Sequence, residues 1–123
     1  MSRTKSLKES FGFAFAGLRE AISNEPNFQI HLSFGIAALI FAAILGFDKF
    51  EWLLLLFTIS FVLIMELVNT VLEAIVDLVS PGVQPKAKIA KDVSAAAVLV
   101  SAAIAIIVGL TLFAPKLFSA KLM

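Results

Sequence analysis

Three runs of apolar residues constrain this chain more than anything else in it: Ile30 to Phe47, Trp52 to Val76 and Val93 to Ala114. Each is close to the ~20 residues that cross a hydrocarbon core as a helix. Inside lipid no water satisfies the backbone N–H and C=O groups, so such runs are read as α-helices, whose hydrogen bonds are all internal. The chain has 123 residues, 60% of them hydrophobic and 15% charged, and a mean hydropathy of +1.00, too apolar for a soluble domain of this size with a polar skin. The expected fold class is therefore an all-α integral membrane protein, a single membrane domain over residues 1–123, with transmembrane helices at 30–47, 52–76 and 93–114.

The same composition excludes several functions. A net charge of +1 leaves no basic stripe able to neutralise a row of nucleic-acid phosphates. Cysteine is absent, which removes disulfides, thiolate nucleophiles and sulfur-based metal sites. No Gly-x-x-x-x-Gly-Lys-Ser/Thr loop occurs, so any nucleotide would be held without a P-loop. The charged, amphipathic lead before Ile30 is in the wrong order for a cleavable signal peptide. The twelve phenylalanines are expected to face lipid or pack between helices.

The connections set the topology. Gly46-Phe47-Asp48-Lys49-Phe50-Glu51 is a tight polar link ending at Trp52, a ring suited to the membrane interface. Ser80-Pro81-Gly82-Val83-Gln84-Pro85 is a helix-stopping turn before the third span. Arg3, Lys5, Lys8 and Arg19 precede the first span and Lys86, Lys88 and Lys91 follow the second, against Lys49, Lys116 and Lys121 on the other side. The positive-inside rule then puts the N-terminus and the second loop in the cytoplasm. Residues 1–24 carry Leu7, Phe11, Ala14, Phe15, Leu18 and Ile22 at helical spacing, reading as an amphipathic helix on the cytoplasmic leaflet. Ser23-Asn24 before Glu25-Pro26 has the form of a capped helix restart, and Ala95, Ala96, Ala97 and Ser101 offer close packing on the third helix.

The second span is not uniformly apolar. Glu66, Asn69, Glu73 and Asp77 recur at steps of three, four and four, which places all of them on one helical stripe. Counting from Trp52 at ~1.5 Å per residue, Glu66 lies roughly 20 Å along, in the cytoplasmic half of the bilayer, and Asp77 reaches cytoplasmic water. A carboxylate at a helix centre costs on the order of 2.5 to 3.5 kcal/mol on insertion scales, so several on one face need compensation. Interhelical hydrogen bonding could supply part of it. A divalent-cation site supplies more: Glu73 and Asp77 offer the hard oxygens that Mg²⁺ prefers, with substrate phosphates completing its shell. Glu66 is deeper and more desolvated, the environment of a general base for an alcohol at the lipid interface. Lys91 and Asp92 precede an uncharged run and should face the same site, where lysine can hold nucleotide phosphates; they also suit an ordinary interfacial anchor. His31, the single histidine, is expected to take an interfacial rather than a catalytic role.

Gly17-Leu18-Arg19, Asn24-Glu25, the stripe Glu66-x-x-Asn69-x-x-x-Glu73-x-x-x-Asp77 and Lys91-Asp92-x-Ser94-Ala95-Ala96 together resemble the prokaryotic diacylglycerol kinase family, which includes undecaprenol kinases. The resemblance implies a homotrimer in the bacterial inner membrane, with sites between subunits, ATP as phosphoryl donor, Mg²⁺ as cofactor and a lipid alcohol as substrate. It implies Glu66 as catalytic base, Glu25 and Glu73 as metal ligands, and Lys91, Asp92, Glu25, Glu73 and Asp77 as ATP contacts. Asn69 and Arg19 join Glu66 at the lipid substrate. Asn27-x-x-Ile30-His31 and Phe113-Ala114-Pro115-Lys116 resemble the undecaprenol kinase branch, with diacylglycerol phosphorylation to phosphatidic acid as the alternative. Ser6 and the segment Pro81 to Pro85 depart from the diacylglycerol branch. A proton-coupled transporter needs one deep acid, and a noncatalytic assembly subunit needs only helix-specifying polar groups; clustering of acids beside Lys91 favours the kinase.

Overall fold

The computed structural model describes residues 6–122, with side chains as far as Ser119. Arg3, Lys5 and the side chain of Lys121 lie outside that description. Four helices follow one another: α1 (Leu7–Asn24), α2 (Pro26–Leu45), α3 (Lys49–Val79) and α4 (Pro85–Leu122). Among the described residues there is no strand, and α2, α3 and α4 are each long and apolar enough to cross a membrane. The helices run beyond the apolar stretches because a helix ends at a cap or a breaker, not where hydropathy falls. The first stretch is the exception, since Gly46 ends α2 at Leu45.

The break between α1 and α2 is a single residue. Pro26 disfavours helical geometry in the residue before it and has no N–H to donate, and Glu25 adopts φ −108°, ψ 101°. Ser23 and Asn24 do not cap α2, as the sequence suggested; both belong to α1. The N-cap is Glu25, whose carboxylate makes no capping bond and is therefore free for other work. Gln29 Nε2 donates to the Ile22 carbonyl at 2.8 Å across the break.

At the opposite end, Gly46 closes α2 in the left-handed region (φ 72°), where a Cβ would be strained. Asp48 then starts α3 with a full capping box: its carboxylate accepts from Glu51 N–H, and Glu51 returns the bond to Asp48 N–H. The Glu51 N–H holds the Asp48 carboxyl below the usual aspartate range. Phe47 tucks under this turn, edge-on to Trp52 and 4.9 Å from the Phe113 ring. Lys116 ties α4 to the same corner through Glu51 at 3.0 Å.

The helices pack along narrow stripes. Leu55, Val62, Glu66 and Asn69 are buried on α3, and Ser94, Val98, Ser101 and Leu112 on α4. The stripe on α4 is not the alanine run: Ala95 and Ala96 are exposed, since on an α-helix they turn ~100° and ~200° away from Ser94. Between α2 and α3 the approach is close at Gly35, where a Cβ would stand 2.9 Å from Ile59 Cγ2. The outward faces are apolar, with Phe34, Phe57, Leu99 and Ile106 all exposed, as expected of helices whose solvent is lipid.

Candidate active site

The polar stripe of α3 lies at the end of the bundle shared by the α1–α2 break and the α3–α4 loop. It is graded in depth. Glu66 is 3% exposed and Asn69 7% exposed, Glu73 is half-buried and Asp77 exposed.

Neighbouring helices supply the partners. Ser94 Oγ on α4 donates to Asn69 Oδ1 at 2.7 Å, and Asn69 Nδ2 points to Glu73 Oε1 at 3.4 Å. The amide orientation follows from chemistry, because an ionised carboxylate only accepts and so takes the NH₂ side. Glu66 Oε2 is enclosed and has no hydrogen-bond partner among the described residues; His31 Nε2 on α2 stands 3.7 Å from it. Glu73 follows Glu66 by two turns on the same stripe of α3, and Glu25 stands at the α1–α2 break.

Of Lys91 and Asp92 on α4, Lys91 turns to the stripe and meets Asp77 Oδ1 at 2.5 Å. Asp92 turns away and pairs with Lys88 one turn earlier, at 2.6 Å. Adjacent helical residues are separated by ~100°, so within one chain only Lys91 meets the stripe. Arg19 is exposed on α1.

Among the described residues no three metal-ligating side chains are close enough to cage an ion. Mg²⁺ does not need such a cage, because it is usually held by one or two carboxylates plus substrate phosphates. Glu73, half-buried on the stripe, and Glu25, whose carboxylate makes no capping bond, are carboxylates at this end of the bundle that could serve as such a pair.

Beside the site an apolar cleft of about 390 Å³ runs between α2, α3 and α4, from His31 at one end to Phe113 at the other. Sequence reasoning missed two residues here. Ser94 had a signal, since it follows Lys91 by three residues and shares its helix face. His31 stood out only through the Asn27-x-x-Ile30-His31 pattern, because its proximity to Glu66 is created by packing of α2 on α3.

Three helices long and apolar enough to cross a membrane, with an acidic stripe at one end and a lysine beside it, make this a multi-pass membrane protein with a charged cluster at one end of its bundle. A model of the prokaryotic diacylglycerol kinase family matches residues 12–113. The chain is 42% identical over 115 residues to a diacylglycerol kinase of Synechocystis sp., covering 93% of this chain and 66% of that protein. It is 39% identical over 109 residues to the undecaprenol kinase of Bacillus subtilis, covering 89% of each. With a diacylglycerol kinase of Escherichia coli K12 the identity is 32% over 104 residues, 85% of this chain and 84% of that protein. The chain belongs to the prokaryotic diacylglycerol kinase family and is a lipid kinase.

Proposed function

We propose that this kinase transfers the γ-phosphoryl group of ATP to the hydroxyl of a membrane lipid alcohol, undecaprenol in preference to diacylglycerol, with Glu66 as general base. The observation carrying the reading is Glu66 itself: a carboxylate 3% exposed, with one oxygen enclosed and unpartnered, at the deep end of an acidic stripe. Such a group is costly in a membrane and marks function by default.

The remaining residues take roles by depth. Glu25 and Glu73 would hold Mg²⁺, which when bound neutralises charge on the phosphates and aligns them. Lys91, with Asp77 beside it, stands where the triphosphate enters from the water side. Asn69, fixed by Ser94, shapes the space between base and metal ligands. Glu66 accepts the hydroxyl proton as the lipid oxygen attacks, and most of the remaining acceleration comes from positioning.

Undecaprenol is favoured by the Asn27-x-x-Ile30-His31 pattern and by the relative from Bacillus subtilis bearing that activity in its name. The relatives from Synechocystis and Escherichia coli, both diacylglycerol kinases by name, make diacylglycerol the alternative. A homotrimer is supported by family resemblance and by Asp92 and Arg19 standing away from the stripe of their own chain, where a neighbouring subunit would bring them to a site. Family resemblance supports the bacterial inner membrane, and the bias of Lys and Arg supports a cytoplasmic N-terminus with α1 lying on that leaflet.

The test is a substrate panel with radiolabelled ATP in one detergent, with and without Mg²⁺. Label should enter undecaprenol faster than diacylglycerol, and only with the metal. Faster labelling of diacylglycerol would reverse the substrate assignment, and labelling of neither would overturn the reading.

A further inference from the structure

We infer that His31 is a positioning residue for Glu66: its Nε2–H donates to Glu66 Oε2 and holds the carboxylate with Oε1 turned to the lipid hydroxyl. The inference rests on the reading of Glu66 as the base and extends it to a residue on a different helix.

Three observations meet at His31. First, its Nε2 is 3.7 Å from Glu66 Oε2, beyond a hydrogen bond but less than ~1 Å of movement from the ~2.7–2.9 Å of a charge-assisted one. Catalytic hydrogen bonds are often long before substrate is bound and tighten in the complex. Second, Oε2 is enclosed without any partner among the described residues, and an unpaired buried acceptor of this kind is strongly disfavoured in a medium without water. A nearby N–H is the cheapest remedy the fold contains. Third, His31 is the ionisable member of the otherwise apolar cleft wall. The other polar lining side chain, Thr58, has its hydroxyl committed to the Leu54 carbonyl at 2.7 Å.

The tautomer follows from the partner. A carboxylate only accepts, so the imidazole proton on this side belongs to Nε2. During the reaction the alcohol O–H bond breaks and its proton passes to Glu66 Oε1. The lipid oxygen bonds to the γ-phosphorus, and the bond from that phosphorus to the bridging oxygen breaks with its electron pair on ADP. His31 exchanges no proton in this scheme; it restricts the carboxylate to the orientation that receives one. An unheld carboxylate, rotating between orientations, would reach that geometry only part of the time.

The experiment compares His31→Gln, which keeps an N–H donor, with His31→Leu, which keeps bulk but no donor, each alone and with Glu66→Gln, in the detergent-solubilised full chain. His31→Leu should lower kcat by at least about tenfold with the KM for ATP unchanged, and His31→Gln should recover most of that loss. In the Glu66→Gln background the His31→Leu change should have no further effect, as expected of residues acting as one unit. Equal loss in the Gln and Leu variants, or no loss in His31→Leu, would overturn the role of His31 while leaving the base in place. Full turnover in Glu66→Gln alone would instead remove the base.

Discussion

Replacing Ser94 by alanine removes one oxygen and leaves the volume almost unchanged, so its effect isolates one hydrogen bond. The bond is the 2.7 Å contact from Ser94 Oγ to Asn69 Oδ1, buried between helices and joining residues 25 apart in sequence. In a soluble protein an acceptor orphaned at this depth costs ~1–3 kcal/mol. Interhelical bonds within membranes average ~0.6 kcal/mol and reach ~1.7, because the separated helices also find partners. The second reference state applies, and the expected loss of stability is about 1 kcal/mol. If the same amount were lost from the transition state, through a loosened Asn69, turnover would fall about fivefold, since 1.4 kcal/mol is tenfold. The assay is unfolding followed by circular dichroism in mixed micelles, with initial kinase rates taken in the same micelles, for Ser94→Ala, Asn69→Ala and the double variant. A coupling energy near zero between the two positions would refute the contact, and a loss of turnover far above fivefold would show that Ser94 does more than hold Asn69.

Lys91→Gln should raise the KM for ATP severalfold while leaving stability almost unchanged, because the Lys91–Asp77 pair is largely solvent-exposed (41% and 65%); nucleotide titration and melting curves read the two effects separately. Gly46→Ala should destabilise by ~1–2 kcal/mol without touching turnover, since its cost is the left-handed φ of 72° and no atom lies within 4 Å of the added Cβ. Asp48 gives a pH signature: its carboxyl is held below the ordinary value by the Glu51 N–H, so its capping contribution is present above the unfolded pKa of ~3.9 and is lost as pH falls through the folded value. The melting temperature should therefore decline below about pH 4 in the parent chain and less steeply in Asp48→Ala.

The membrane class and the acidic stripe were legible because both are periodic within one segment. Twenty apolar residues need no tertiary information to be read as a span, and steps of three and four between Glu66, Asn69, Glu73 and Asp77 fix a common face before any neighbour is known. What failed was local detail decided by one residue's backbone. Pro26 forces the break onto Glu25 and so moves the cap from Asn24. The His31–Glu66 and Ser94–Asn69 contacts arise from the way α2 and α4 lean on α3. Helix-to-helix registers of that kind are set by small residues such as Gly35 packing against Ile59, which carry no chemical label in the sequence.

The most direct test of a buried carboxylate acting as base in a lipid kinase is the initial rate of phosphoryl transfer to undecaprenol by Glu66→Gln, at saturating ATP and Mg²⁺, set beside its melting curve. The account predicts a fall of at least about a hundredfold, the usual worth of general base catalysis, with the helices still folded because glutamine fills the same space. A variant that melts normally and still phosphorylates the lipid at close to the parent rate would contradict it.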